Sequence, residues 1–424
     1  MKKEIIHQDI ESIFNLETDL FPCLIDMKFK GVRIDIEGAH KLKQQLSKQE
    51  EVLLLEVQKE TGIEPQIWAA RSIAKIFDKL DLTYARTEKT NAPSFTKNEL
   101  QEHKHPVVQK IAKARELNKA HTTFIDTIIR HEHKGRIHAD INQIRSDQGG
   151  TVTGRFSYSN PNLQQLPARN KELGPMIRSL FLPEEGCTWG CFDYSQQEPR
   201  LVAHYASLYK FPSVYEVIEE YNNDSSTDFH QMVAEMAEIP RSQAKTINLG
   251  LFYGMGKTKL QAELGVSKDK ASELFEQYHA KVPFVKQLIN AASNRAQERG
   301  QIRTLLGRLC RFPLWEPNSF GMHKAMSHED ALREHGPGIK RAYTYKALNK
   351  LIQGSAADMT KKAMVDLYKE GIIAHIQIHD ELDLSVESPE HAEKITKIME
   401  NAVKLEVPNK VDYESGETWG DIFD

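Results

Sequence analysis

Long hydrophobic runs are missing from this sequence: no apolar stretch approaches the roughly 20 residues needed to span a bilayer, so a membrane-spanning helix is not expected. A leader is not expected either. The start MKKEIIHQDIESIF has two lysines but no apolar stretch, and acids follow at once, which argues against a secretory or organelle signal and for a cytoplasmic protein. Cysteine is scarce, four in 424 residues, and Cys23 and Cys310 stand alone, so neither a disulfide scaffold nor a zinc module is expected. The close pair, Cys187 and Cys191, would lie about 13 Å apart on a strand rising roughly 3.3 Å per residue, too far to bind one ion together. Reduced, partly buried thiols are the expectation. A net charge of -4 gives no overall attraction to polyanions, so any such partner must be held by locally clustered Lys and Arg. What remains is ordinary for a globular chain, 40% hydrophobic and 27% charged, and long enough for two or three domain-sized cores.

Residues 37 to 61 carry leucines at near-helical spacing with charges between them, and 98 to 130 reads similarly, so two long amphipathic helices are predicted. The second is rich in cations, Lys104, Lys110, Lys113, Arg115, Lys119 and Arg130, which suits either a phosphate backbone or a plain solvated face. The segment TVTGRFSYSNPNLQQLPAR, 151 to 169, predicts an irregular stretch with many hydrogen-bond donors and few apolar anchors. Glu17 and Asp19 in NLETDL read as helix-surface charge.

In CTWGCFDYS, Trp189, Cys191 and Asp193 alternate with Phe192, the mark of a short strand with Asp193 at its end. SQQEPRLVAHYASLY then takes helical periodicity, with Glu198 in the first turn and Pro199 tolerated because it falls there. A second acid, Asp380, sits at the tip of a predicted hairpin in IIAHIQIHDELDLSVE, whose strands are marked by Ile372, Ile376, Ile378, Leu382 and Leu384. Two aspartates on neighbouring strand ends can jointly hold two divalent ions about 3.5 to 4 Å apart, the arrangement suited to in-line phosphoryl displacement, and hard carboxylate oxygens suit magnesium. The plainer alternative is that strand-end acids are solvated or cap the next helix. In PRSQAKTINLGLFYG, Arg241, Lys245, Leu249 and Tyr253 recur every four residues and share a helix face. That face would match a nucleoside triphosphate, with phosphates on the cations, sugar at Leu249 and base or template near Tyr253. Asn349 and Gln353, one turn apart in LNKLIQG, offer amides suited to minor-groove acceptors.

Taken in order, TGRFSYSNPNLQQLPAR, DYSQQEPRLVAH, RSQAKTINLGLFYG and IQIHDELDLSVE resemble the motifs of the family A DNA polymerases, the bacterial DNA polymerase I group with its phage members. The resemblance covers nearly the whole chain. It implies an α+β right-hand fold with an antiparallel-sheet palm, helical thumb and helical fingers: 1–35 as palm entry, 36–135 as thumb, 136–205 as the first palm part, 206–338 as fingers and 339–424 as the second palm part. It also implies a DNA-templated DNA polymerase that extends a primer from dNTPs with two Mg2+ ions, Mn2+ being a possible substitute, acting as a monomer in a bacterial cell or phage-infected host. By matched position, Asp193 and Asp380 would hold the metals with the Tyr194 carbonyl, and Lys245 would neutralise the triphosphate and act as general acid toward pyrophosphate. Arg169, Gln196, His230 and Arg241 would complete the nucleotide contacts. Glu198 would crowd the 2-prime hydroxyl, Tyr253 would guard template-base insertion, and Arg155, Asn162, Gln164, Asn349, Gln353 and His379 would touch primer and template. Glu381 would support the metal ligands.

The chain departs from the family pattern at Leu249, where an aromatic is usual, at Pro199, where leucine is usual, and at Tyr345, where arginine is frequent. Residues 315 to 338 form a longer connection than expected, and its sequence suggests no role. The thumb pattern begins almost at once, so a proofreading nuclease is not expected. A single-subunit RNA polymerase would use a related palm, but Glu198 beside Asp193 disfavours it. A non-catalytic DNA-binding protein would not need Asp193, Asp380 and Lys245 together.

Overall fold

The computed structural model describes residues 2–144, 151–168, 170–252, 255–319, 321 and 323–422. Arg169 and Tyr253 lie outside the described residues. The chain divides into two compact units, one of Met1–Phe29, Ile141–Tyr158 and Gly190–Glu414, the other of Lys30–Asp140, Ser159–Trp189 and Ser415–Asp424. Among the described residues no helix is long and apolar enough to cross a membrane.

The second unit contains the first expected amphipathic helix, Ile36–Thr61. Asp35 caps its start by accepting from Gly38 N at 2.8 Å, and Gly62, left-handed at φ 70°, ends it, as the missing Cβ allows. Its buried face packs with Ile73, Ile76, Phe77, Val107, Val108 and Ile111 around Val57. The second expected helix is broken. It runs as Lys97–Glu102, Pro106–Lys119, a π-helical turn Ala120–Ile125 and Asp126–His131. The break follows from Pro106, whose ring forces the preceding residue out of the helical region; His105 sits at ψ 128°. The cations of this region are also less available than expected. Lys110 pairs with Glu56 and Glu60 at 2.7 and 2.5 Å, Lys113 pairs with Glu172, and Arg115 donates to the carbonyls of Ile67 and Phe95. A small sheet runs in the order Glu132–His133, Arg136–Ile137, Val32–Ile34, Phe181–Leu182.

In the first unit a four-stranded sheet has the order Ile376–Ile378, Glu381–Val386, Thr188–Tyr194, Val411–Gly416. The first two strands form the predicted hairpin, antiparallel with Ile378 opposite Glu381, leaving His379 and Asp380 as its turn. The Ala347–Lys369 helix is buried along most of its length and packs with Gln197–Leu208, Pro283–Arg299 and Pro389–Asn401. Pro199 is the third residue of its helix, where no intrahelical bond is lost. The long connection is ordered where described: Trp315–Pro317 pairs antiparallel with Ile339–Arg341, and between them Ser327 caps the helix His328–His335.

Two expectations need correction. The 151–168 stretch is irregular apart from the short strand Ser157–Ser159 and the turn Leu163–Gln165, yet Phe156, Tyr158, Leu163 and Leu166 are all buried, so it is better anchored than its polar composition suggested. Glu17 is no surface charge. It accepts from Lys361 at 2.8 Å and from Gln143 at 2.5 Å, and pairs with Arg308. Arg308 in turn reaches Asp358 at 2.8 Å. The Lys361 side chain has no exposed surface, and burial draws its ammonium down to about 8.

Candidate active site

Alternation along Thr188–Tyr194 turns Cys191 and Asp193 to one side of the strand and buries Phe192 and Tyr194 on the other, where the Tyr194 hydroxyl donates to Met399 O at 2.6 Å. Asp380 follows His379, which takes the left-handed region at φ 56°, a conformation histidine tolerates better than branched residues. Tyr194 N donates to Asp380 O at 3.3 Å, and this backbone bond ties the strand end to the hairpin tip. The two predicted acids are therefore brought together.

Their electrostatics are strained. Burial first, then Asp380, Glu381, Asp412 and Glu414, push the Asp193 carboxyl up to about 8. Burial likewise raises Asp380 to about 6, with Arg155 pulling it back and Glu198 and Glu381 pushing it further. Both shifts have one cause, negative charge taken out of water among other acids. Asp193 Oδ1 and Glu381 Oε1 are buried and have no hydrogen-bond partner among the described residues. Hard carboxylate oxygens left unsatisfied in this way fit divalent cations of the magnesium type. Cys191, Glu381 and Asp383 also gather their ligand atoms within 4.8 Å of one another on this sheet. The sequence did not single out Asp383 or Cys191, although the alternation in ELDLS places Asp383 on the side of Glu381.

Glu198 is the second residue of Gln197–Leu208 and accepts from Arg155 Nη2 at 2.7 Å. Gln196, left-handed at φ 51°, uses its amide on backbone: Nε2 donates to Thr227 O at 3.1 Å and Oε1 accepts from Phe229 N at 2.7 Å. Arg200, fully buried, donates to the carbonyls of Ser195, Pro408 and Ser225 at 2.8, 2.6 and 2.6 Å. His379 is exposed at the hairpin tip, and desolvation, then Arg155, lowers its imidazole below the ordinary value.

On the Arg241–Phe252 helix, Arg241 and Lys245 are exposed and Leu249 half-buried, while Ala244, Ile247, Asn248 and Leu251 face inward. Arg241 Nε donates to Asp228 Oδ2 at 2.8 Å, and Asp228 caps Phe229–Ala237 by accepting from His230 N and Gln231 N. His230 is buried, and burial lowers its imidazole to about 4, with Asp228 opposing and Lys245 and Arg241 reinforcing the shift. Its Nδ1 lies 3.0 Å from Asn248 Nδ2, and Asn248 Oδ1 accepts from the Tyr278 hydroxyl. A neutral ring accepting at Nδ1 leaves the proton on Nε2. Asn349 and Gln353 are half-buried on Ala347–Lys369, with no hydrogen bond from either side chain to another described residue. Asn162 and Gln164 belong to the second unit, where Asn162 Oδ1 accepts from Gln164 N at 3.1 Å.

Comparison with known proteins gives a consistent picture. The model of "DNA polymerase family A" matches residues 36–421. A "DNA-directed DNA polymerase" of Pseudomonas phage M6 is 35% identical over 99% of this chain and 67% of its own length. The thermostable "DNA polymerase I" of Thermus filiformis is 32% identical over 95% of this chain, which spans 47% of that protein. Among solved structures, the "POL domain of Pol1 from M. smegmatis complex with DNA primer-template and dNTP" superimposes with a TM-score of 0.79 at 26% identity, covering 99% of this chain and 72% of that one.

Proposed function

The chain belongs to DNA polymerase family A, with the right-hand polymerase fold and DNA-directed DNA polymerase activity of that family, and from this premise we propose that it extends a primer by two-metal nucleotidyl transfer centred on Asp193 and Asp380. The observation that carries the proposal is the pair of acids tied by the Tyr194 N to Asp380 O bond, with Asp193 Oδ1 buried and unpartnered among the described residues.

Asp193, Asp380 and the Tyr194 carbonyl would hold two magnesium ions. Bound there, these would supply Lewis-acid stabilisation of the attacking and leaving oxygens of an in-line displacement. The protein's own groups then have separate tasks. Arg241 and Lys245 would meet the triphosphate from the exposed side of their helix, Lys245 giving a proton to departing pyrophosphate. Neutral His230 would donate a hydrogen bond from Nε2, its ring fixed through Asn248 and Tyr278. Gln196 would act mainly by holding the start of Phe229–Ala237 in place, since its amide is committed to Thr227 and Phe229. Glu198 would meet the sugar and exclude a 2-prime hydroxyl, and Arg155, His379, Asn349 and Gln353 would read primer and template. Arg169, Tyr253, Asn162 and Gln164 remain part of this proposal through the motifs that carry them. Primer-template DNA and dNTPs are the partners, and a monomer suffices for the chemistry. Of Glu17 and Asp19, the two early acids that could suggest a nuclease site, Glu17 is committed to Lys361 and Arg308 and Asp19 is exposed, so extension by these 424 residues would proceed without editing.

Primer extension with magnesium tests the reading: the wild-type chain should add dNTPs opposite a template, and Asp380→Asn should not. Equal extension by both would refute it.

A further inference from the structure

The turn that leads into Ala347–Lys369 is fixed at both ends. Ala342, buried, donates its N–H to Leu314 O at 2.8 Å, and Ala347 and Leu348 are buried at the start of the helix. Between these anchors the sequence sets Tyr343, Tyr345 and Lys346 in the open, with 41% and 55% of the two tyrosines exposed. Among the described residues neither hydroxyl is hydrogen-bonded and neither ring meets another aromatic ring. Tyr343 also holds φ 62° and ψ 14°, the left-handed region that disfavours a bulky side chain, and strain of that kind is kept where the surroundings or a function call for it.

The Lys346 ammonium lies 5.1 Å from the centre of the Tyr343 ring and 5.6 Å from that of Tyr345, and no acid pairs with it among the described residues. An ammonium covers one side of a ring only, so a flat ligand can be laid on the other. Two exposed rings sharing one unneutralised cation suit an unpaired nucleic-acid strand, whose bases stack on aromatic faces while its phosphates meet the charge. A duplex cannot use the rings in this way, because the faces of paired bases are already covered by their neighbours. Position points to the same ligand. Tyr345 precedes Asn349 by four residues and Gln353 by eight, so the rings stand at the head of the helix that carries both amides.

We propose that Tyr343, Tyr345 and Lys346 form a stacking site for the template strand ahead of the primer end, where its bases are still unpaired. The proposal rests on the reading of Asn349 and Gln353 as contacts to paired primer and template, and it adds a site for the strand not yet copied. It gives the departure at Tyr345 a chemical meaning: arginine, frequent in the family there, offers a charge to a phosphate, whereas this chain offers a ring to a base. Binding should depend on the presence of template bases and little on which bases they are.

Fluorescence anisotropy tests this with one primer duplex that is blunt, carries a short unpaired template tail, carries the same tail without bases, or carries an unpaired tail on the primer strand instead. The wild-type chain should bind the template-tailed form roughly tenfold more tightly than the abasic-tailed or primer-tailed form. Tyr343→Ala with Tyr345→Ala should lose that preference, and Tyr343→Phe with Tyr345→Phe should keep it, because phenylalanine retains the ring. Lys346→Gln should reduce the salt dependence of binding to the tailed forms. A wild-type chain that binds the template and abasic tails alike overturns the proposal, as does an alanine variant that keeps the preference, a phenylalanine variant that loses it, or an equal gain from the primer tail. Asn349→Ala with Gln353→Ala should weaken the blunt form and keep the preference for the template tail; a blunt form bound as tightly as by wild type would show that the reading of the helix has failed, and the proposal with it. Tyr345→Ala alone, which leaves the left-handed position untouched, keeps the test decisive should the double variant fold poorly, and melting curves identify that case.

Discussion

The first unit contains two groups of charges that are buried alike and completed differently. Around Glu17 the acids and bases alternate: Lys361 at 2.8 Å, then Arg308, then Asp358, whose carboxylate also accepts from the Thr304 hydroxyl. Around Asp193 the neighbours that act on it are acids, and the cation that acts on its partner Asp380, Arg155, is already engaged by Glu198. Buried charge is costly unless it is compensated. The Glu17 group is compensated from within the chain and holds segments together, whereas the Asp193 group is not, and the proposed function gives that task to the metal ions. Which charges the fold satisfies, and which it leaves unsatisfied, separates scaffold from site more sharply than burial does.

Neutralising one member of each group should break the comparison open, with opposite signs. Asp193→Asn should lower the extension rate at least a thousandfold, about 4 kcal/mol. It should also raise the melting temperature of the metal-free protein at pH 8. The sign follows from linkage: a carboxyl raised to about 8 keeps its proton in the folded state where the unfolded chain has lost it, so stability falls as pH rises from about 4 toward 8, and asparagine escapes that loss. A variant with a tenth of the normal rate, or a lower metal-free melting temperature, contradicts this. Lys361→Met should do the reverse. By leaving Glu17 and Asp358 under-compensated it should cost about 3 kcal/mol in denaturant unfolding, with extension at low temperature largely kept. Unchanged stability would remove the Glu17 group from the scaffold.

His230 gives a smaller test, of a group that the proposed function sets against the incoming nucleotide. Its folded pKa lies near 4, below the ordinary 6.5, so the stability it contributes is present above pH 6.5 and is lost as pH falls toward 4. The loss should be about 3 kcal/mol, and His230→Gln should flatten that part of the pH–stability curve. An equally steep curve in the variant would assign the slope to other groups. The smallest effect is expected at Leu249. It is half-buried on the helix that carries exposed Arg241 and Lys245, the face that the proposed function turns to the nucleotide. Leu249→Phe should therefore raise single-nucleotide insertion roughly fivefold, about 1 kcal/mol, at an unchanged melting temperature. Slower insertion with a lowered melting temperature would mean overpacking and place Leu249 with the core.

What could be read from the sequence was local. The strand ending in Asp193, the hairpin that presents Asp380 and the Arg241–Lys245–Leu249 face each rest on periodicities of two or four residues, and all three appear as expected. The Glu198–Arg155 pair spans 43 positions and the Glu17–Lys361 pair 344, and no pattern within a window carries such contacts. Without the fold, Glu17 was indistinguishable from any acid on an amphipathic helix. The broken helix at 103–105 is a different case. Pro106 was in plain view, and the regular spacing of apolar residues on both sides masked its effect. Pairing within the second unit removed Lys110, Lys113 and Arg115 from the freely available cations, because their partners come from other segments that composition could not assign to them.

The separation of Glu17 from Lys361 also bears on how the chain comes into being. At roughly 5 to 20 residues per second, a ribosome needs on the order of 20 to 70 s to travel the 344 positions between them. For that interval the Glu11–Lys30 helix has emerged without the lysine that will neutralise it, while the whole of Lys30–Asp140 is synthesised and able to condense. The nascent protein is therefore expected to fold out of order, with an internal stretch settling before the segment that precedes it, and to keep one of its earliest helices waiting for one of its last.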